Sequence, residues 1–265
     1  MIPLYLKTKE FLIFYVLFFS FLYNSALAQV NTETLRKVEM QNGWYGMLSS
    51  SLGYQSGNSE YLQFKSGVRV DFLHNKYYSF LVFNYNRGSQ AKKLFLNNAF
   101  VHLRGTYVFN KNLILEVFGQ TEFDDFIKLK DRKLLGSGLR IRLFKTDKFP
   151  NDKSSLRFFL GLGGMWEKEE LDDQETIITE IFRTTNYISF YWKIDERVTF
   201  NVINYYQRSL NDFADYRVLL ESNLGFYLTK SIIFTASIEY RYDSLPPSGV
   251  KNYDFELNNG ISVTL

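Results

Sequence analysis

Apolar and polar residues alternate along about twelve short stretches between Trp44 and the end of the chain. In the last of them Tyr253, Phe255, Leu257, Ile261, Val263 and Leu265 fall on one side, with Asp254, Glu256, Asn258, Ser262 and Thr264 on the other. A strand points successive side chains to opposite faces, so this period of two predicts one apolar and one polar face. Ile232, Phe234, Ala236, Ile238, Tyr240 and Tyr242 repeat the design against Thr235, Ser237, Glu239, Arg241 and Asp243. A soluble sandwich rarely repeats it in every strand, whereas a transmembrane barrel needs it throughout, with lipid on one side and a wet lumen on the other. Strands are predicted at 44–55, 61–72, 77–87, 95–109, 112–124, 133–144, 155–167, 179–193, 197–207, 216–228, 231–242 and 252–265.

The links between them alternate in length. Tight turns at 74–76, 110–111, 195–196 and 229–230 follow the second, fourth, eighth and tenth strands. Longer polar links at 88–93, 126–132, 168–176, 209–215 and 244–251 follow the third, fifth, seventh, ninth and eleventh. Outer-membrane barrels carry short turns on the periplasmic rim and long loops on the extracellular one. Two links depart from the rule, the short 56–59 and the long 147–154. The fold class expected is therefore all-β, an outer-membrane β-barrel of about twelve antiparallel strands, with both chain ends periplasmic.

Ahead of the strands, residues 1–28 read as a cleaved secretory signal. Lys7 and Lys9 precede an apolar run from Phe11 to Leu22, and Ala26-Leu27-Ala28 is a small-x-small cleavage site. Residues 29–42 then form a polar periplasmic lead-in, and 43–265 the barrel. No later run of eighteen apolar residues would arrest export in the inner membrane. The absence of cysteine removes disulfides and thiolate chemistry. Thirty-one basic against 28 acidic residues argue against a nucleic-acid partner. The 19 tyrosines and 26 phenylalanines suit aromatic girdles, and Trp44, Trp166 and Trp192 fall near strand ends on the apolar face.

Chemistry is then sought on the polar face. Arg104, Glu116, Gln120, Glu122, Asp124, Arg140 and Arg142 point to the lumen, and the hairpin through 126–132 is expected to set Glu116 opposite Arg140 or Arg142. Such charges could form a constriction that filters solutes, or could simply fill and stiffen a small lumen. Further lumen charges of both signs, among them Lys65, Arg69, Asp71, Arg157, Glu167, Lys193, Arg217, Glu221, Glu239, Arg241, Asp254 and Glu256, favour filling. A hydrolase is the competing class, but only two histidines exist, and His102 has Arg104 where a nucleophilic serine would be sought. No cofactor and no metal are expected. The link 168–176, with Glu169, Glu170, Asp172, Asp173 and Glu175, is the most acidic and reads as solvated charge. Glycines 136, 138, 163 and 164 read as strand glycines that relieve crowding or let the sheet bend.

The order of motifs also resembles a known family. Asn31 to Arg36 ahead of Gly43-Trp44-Tyr45-Gly46, the Ser56-Gly57-Asn58 turn, Phe100 to Arg104, Glu116 to Phe123, Leu134 to Arg140, Gly164 to Glu167 and Tyr242 to Pro247 are similar to the YdiY-like family of salt-induced outer membrane proteins. The resemblance spans the mature chain, and implies an outer-membrane barrel linked to salt or osmotic stress, with no active residues to carry over. Asn258, Gly260, Val263 and Leu265 look like the terminal assembly signal of such barrels, read by the barrel assembly machinery. The other expected partners are outer-membrane lipid, lipopolysaccharide and a small hydrophilic solute. A narrow or gated channel is the functional expectation, a non-conducting structural or interaction barrel the alternative.

Overall fold

The computed structural model describes residues 41–57, 60–146, 155–173, 175–229 and 232–263. The expected signal segment, nearly all of the lead-in, the 147–154 link and Leu265 lie outside these residues. Twelve antiparallel strands form one sheet in sequence order: β1 (Gly43–Gln55), β2 (Tyr61–His74), β3 (Tyr77–Gln90), β4 (Lys93–Val108), β5 (Leu113–Asp124), β6 (Leu129–Thr146), β7 (Ser155–Asp172), β8 (Thr176–Lys193), β9 (Val198–Ser209), β10 (Tyr216–Tyr227), β11 (Ile232–Asp243) and β12 (Tyr253–Val263). Each pairs with the next, and the described ladder runs from β1 to β12 without a β12–β1 pair. Strands of 11 to 18 residues follow the predicted segments because the period-two pattern needs a pleated backbone to keep its two faces apart.

The links differ from expectation at one rim. The segment 88–93 is almost all strand, closed by the two-residue turn Ala91-Lys92, whose φ values of 47° and 64° are both left-handed. The 126–132 segment is tightened by a 3-10 turn at Asp125–Ile127, capped by Asp124 and ended by left-handed Lys128, so β6 begins at Leu129. The 168–176 segment is mostly the extension of β7, and Glu169 is buried instead of solvated. The facing ends of β6 and β7 are prolonged where Arg132 and Glu169 find partners inside. The longer links that remain, 210–215 and 244–252, lie on this same rim, here termed the loop rim.

The sheet curls so that the polar face is inside. Tyr187 on β8 reaches Glu116 on β5, and Arg217 on β10 reaches Glu167 and Glu169 on β7. Contacts that skip two strands require strong coiling, as the intrinsic twist of a sheet allows. Most residues buried in the interior are polar or charged, while Leu81, Leu103, Val117, Leu135, Leu162, Phe182, Ile238 and Phe255 stand exposed on the outer wall. This inverts the usual order of a water-soluble protein. Trp44 and Trp192 are exposed on that wall, and the Trp166 indole donates to Glu180 at 3.0 Å.

Space inside is made by glycine. Gly138 and Gly163 face each other across β6 and β7, where a Cβ on Gly163 would come within 2.5 Å of the Ser137 carbonyl. A Cβ on Gly161 would lie 2.0 Å from the Tyr187 ring. The glycines thus relieve crowding, as the sequence suggests, and specifically let Tyr187 lie across two strands.

Candidate lumen site

The six charged residues expected to form one cluster are instead strung along the interior. Arg104, Glu116, Glu122, Asp124 and Arg140 are all buried, whereas Arg142 is half-buried at the opposite rim, donating to the Lys111 carbonyl at 2.7 Å. Eight residues of extended chain separate Glu116 from Asp124, roughly 26 Å at the usual strand rise. One constriction cannot hold them all. Asp124 serves the 3-10 turn, accepting from the Phe126 N–H at 2.9 Å and from the Asn98 amide at 3.4 Å.

The expected facing of Glu116 with Arg140 or Arg142 is also corrected. Gly138 is the register partner of Glu116, and Arg140 stands opposite Ile114. The tightened hairpin shifts the register by two residues, which keeps the inward face inward but changes the neighbours. Arg104 lies 3.6 Å from Glu116, and the Tyr187 hydroxyl donates to the same carboxylate at 2.9 Å. Arg140 stacks over the Phe159 ring at 3.9 Å. His102 is buried between the rings of Phe80 and Phe118, its Nδ1 2.9 Å from the Gln120 carbonyl oxygen. A cation–π and ring ladder therefore lines this part of the wall.

Toward the loop rim lies a continuous ion-pair lattice. Arg132 donates to Glu122 at 2.8 Å and to Glu169 at 2.7 Å. Arg217 reaches Glu169 at 3.0 Å, Glu167 at 2.9 Å and Asp243 at 2.8 Å. Arg183 completes it through Glu167 at 2.9 Å and a two-pronged contact with Asp215 at 2.8 and 2.7 Å. Six strands and the β9–β10 link are thereby joined through side chains alone. Buried charge is tolerated only when its hydrogen bonds are met, and a guanidinium with five donors can meet three carboxylates at once.

Sequence reasoning missed Arg132, Glu169, Arg183 and Asp215. The signal was present for three of them: Arg132 continues the alternate positions Leu134, Gly136, Gly138 and Arg140, Glu169 follows Glu167, and Arg183 precedes Thr185, Tyr187 and Ser189. Asp215 sits in a link, where no period exists.

This part of the lumen is filled, the alternative that charges of both signs favoured. Tyr187, Ile203, Tyr205 and Leu219 form a buried apolar cluster on the inward face. Between His102, Tyr205, Glu167 and Arg217 the remaining cavity is about 30 Å³, room for a water molecule or two.

Comparison with known proteins adds family membership. No curated protein matches the chain. The solved NanC porin, in a rhombohedral crystal form, is 13% identical over 84% of this chain and 98% of its own, with a TM-score of 0.49. The description DUF481, protein of unknown function, matches residues 49–264, which take in the resembling motifs from Ser56 to Pro247. The chain belongs to the DUF481 family.

Proposed function

We propose that the chain spans a bacterial outer membrane as a β-barrel and forms a narrow, gated channel for small hydrophilic solutes. The observation that carries this reading is the pairing of an apolar outer wall with an interior of buried charges extending from one rim toward the other. Lipid is the environment in which the exposed Leu, Ile, Val and Phe side chains are stable, and charge lining the inner wall is what a hydrophilic solute needs. Both signs are present along the path, so discrimination is expected by size more than by charge. Outer-membrane lipid, lipopolysaccharide and the barrel assembly machinery are its partners in this reading, with both chain ends in the periplasm. Asn258, Gly260, Val263 and Leu265 would supply the assembly signal. The resemblance adds a link to salt or osmotic stress, which growth of a deletion strain in high salt tests.

The filled interior favours a second reading, a non-conducting barrel stiffened by its lattice. Conductance of the refolded mature chain in a planar bilayer separates the two. Stable ohmic steps that enlarge when Tyr187→Ala and Ile203→Ala are combined support the channel. Silence of both proteins beside verified insertion supports the structural barrel.

A further inference from the structure

Beneath the β11–β12 link, a cavity of about 50 Å³ lies between Arg132, Glu169 and Arg217 of the lattice and Arg241, Pro247 and Asp254 of the last hairpin. Its roof is ordered. The Val250 N–H donates to the Pro247 carbonyl at 3.0 Å, and Gly249 takes the positive φ of 79° that this turn requires. Lys128 Nζ donates to the Ser248 carbonyl at 2.6 Å and to Asp173 at 2.9 Å, tying three links of the loop rim together.

Arg241 and Asp254 are direct cross-strand partners inside this vestibule. Opposite charges so placed ordinarily bond to each other. Here Arg241 turns its Nη2 to Glu239 at 3.0 Å, and its Nη1 has no hydrogen-bond partner although the residue is only 7% exposed. Asp254 is half-buried and takes part in no hydrogen bond among the described residues. An unanswered donor and an unanswered acceptor thus border one cavity. A hydroxyl, which accepts and donates together, answers both. An anion would meet Glu169, Asp243 and Asp254, and a cation would meet Arg132, Arg217, Arg241 and Lys251. A wall with both signs on every side suits a neutral molecule better than either ion.

We propose that this vestibule binds a small neutral polyol, one hydroxyl accepting from Arg241 and donating to Asp254. The inference does not depend on conduction, because binding is measured without transport. Saturation-transfer NMR on the refolded full mature chain in a zwitterionic detergent, with glycerol and acetate as probes, tests it. Glycerol should receive saturation, falling about tenfold or more in R241Q and in D254N, since each loses a charge-assisted hydrogen bond. The exposed variant K130Q should behave as wild type, and heat-modifiable gel mobility verifies folding of each. Transfer to neither probe would mean that the cavity holds water alone and would overturn the proposal. So would glycerol transfer unchanged in both variants, or acetate transfer that rises in D254N, which would indicate an anion site. Glycerol binding in a protein silent in bilayers would retain this site and remove the channel reading.

Discussion

Glu167 bridges Arg183 and Arg217 at 1% exposure, so its carboxylate holds two buried cations. Replacing it with Gln takes one carboxylate from each, while Arg183 keeps Asp215 and Arg217 keeps Glu169 and Asp243, and should cost about 1.5–3 kcal/mol. Lys130→Gln breaks only the exposed pair with Glu170, and should cost less than about 1 kcal/mol. Urea unfolding of the two variants in the same detergent compares them, and equal midpoints would deny the lattice its structural role. Gly161→Ala puts a methyl against the Tyr187 ring and should cost about 1–3 kcal/mol by overpacking. Adding Tyr187→Leu should return part of that loss, since the obstructing ring is gone. Additive losses in the double variant would mean that Gly161 matters for another reason. The inward residues within regular strand were readable from their parity, but their partners were not. Glu116 meets Arg104 and Tyr187, neither of them its expected partner, because register and curl choose neighbours that parity cannot.

The strands themselves were legible because alternation is a local property of extended chain, and two clean faces leave little freedom of phase. On β11, Ile238 faces outward and Ser237 inward. Ile238→Arg should impair assembly far more than Ser237→Arg, as a cation on the lipid face at mid-depth costs about 2–4 kcal/mol. Heat-modifiable mobility of the two variants reads the difference, and equal assembly would refute the assignment of faces. At the β3–β4 turn, Ala91 and Lys92 both occupy the left-handed region. Asn-Gly is the pair that such a two-residue turn prefers, so Ala91→Asn with Lys92→Gly should raise stability by about 1 kcal/mol, measured as a shifted unfolding midpoint. Strand ends were less legible. Polar residues such as Glu169 look like loop until a partner across the lumen draws them into the ladder. Bulges between Leu129 and Asp131 and between Arg142 and Phe144 each change the phase of β6, and a simple alternation count passes over them.

For the whole molecule, the membrane reading makes a topological prediction. Cysteine placed at the exposed Asp172 should react with a membrane-impermeant maleimide in intact cells, and cysteine at the exposed Lys111 should not. The reverse pattern would turn the barrel over. The sequence by itself determined the all-β class, the number and order of strands, and which side chains share a face, because antiparallel neighbours follow from short connections and faces follow from parity. Mixed lumen charge already favoured a filled interior, but the tertiary structure alone decided which side chains fill it and against which partners. Curling brings β7 against β10 and β5 against β8, and the distances between their side chains depend on twist, bulges and glycine spaces summed over several strands. No single stretch of sequence carries that sum, so the lattice around Arg217 and the vestibule at Arg241 emerge only when the sheet is folded round on itself.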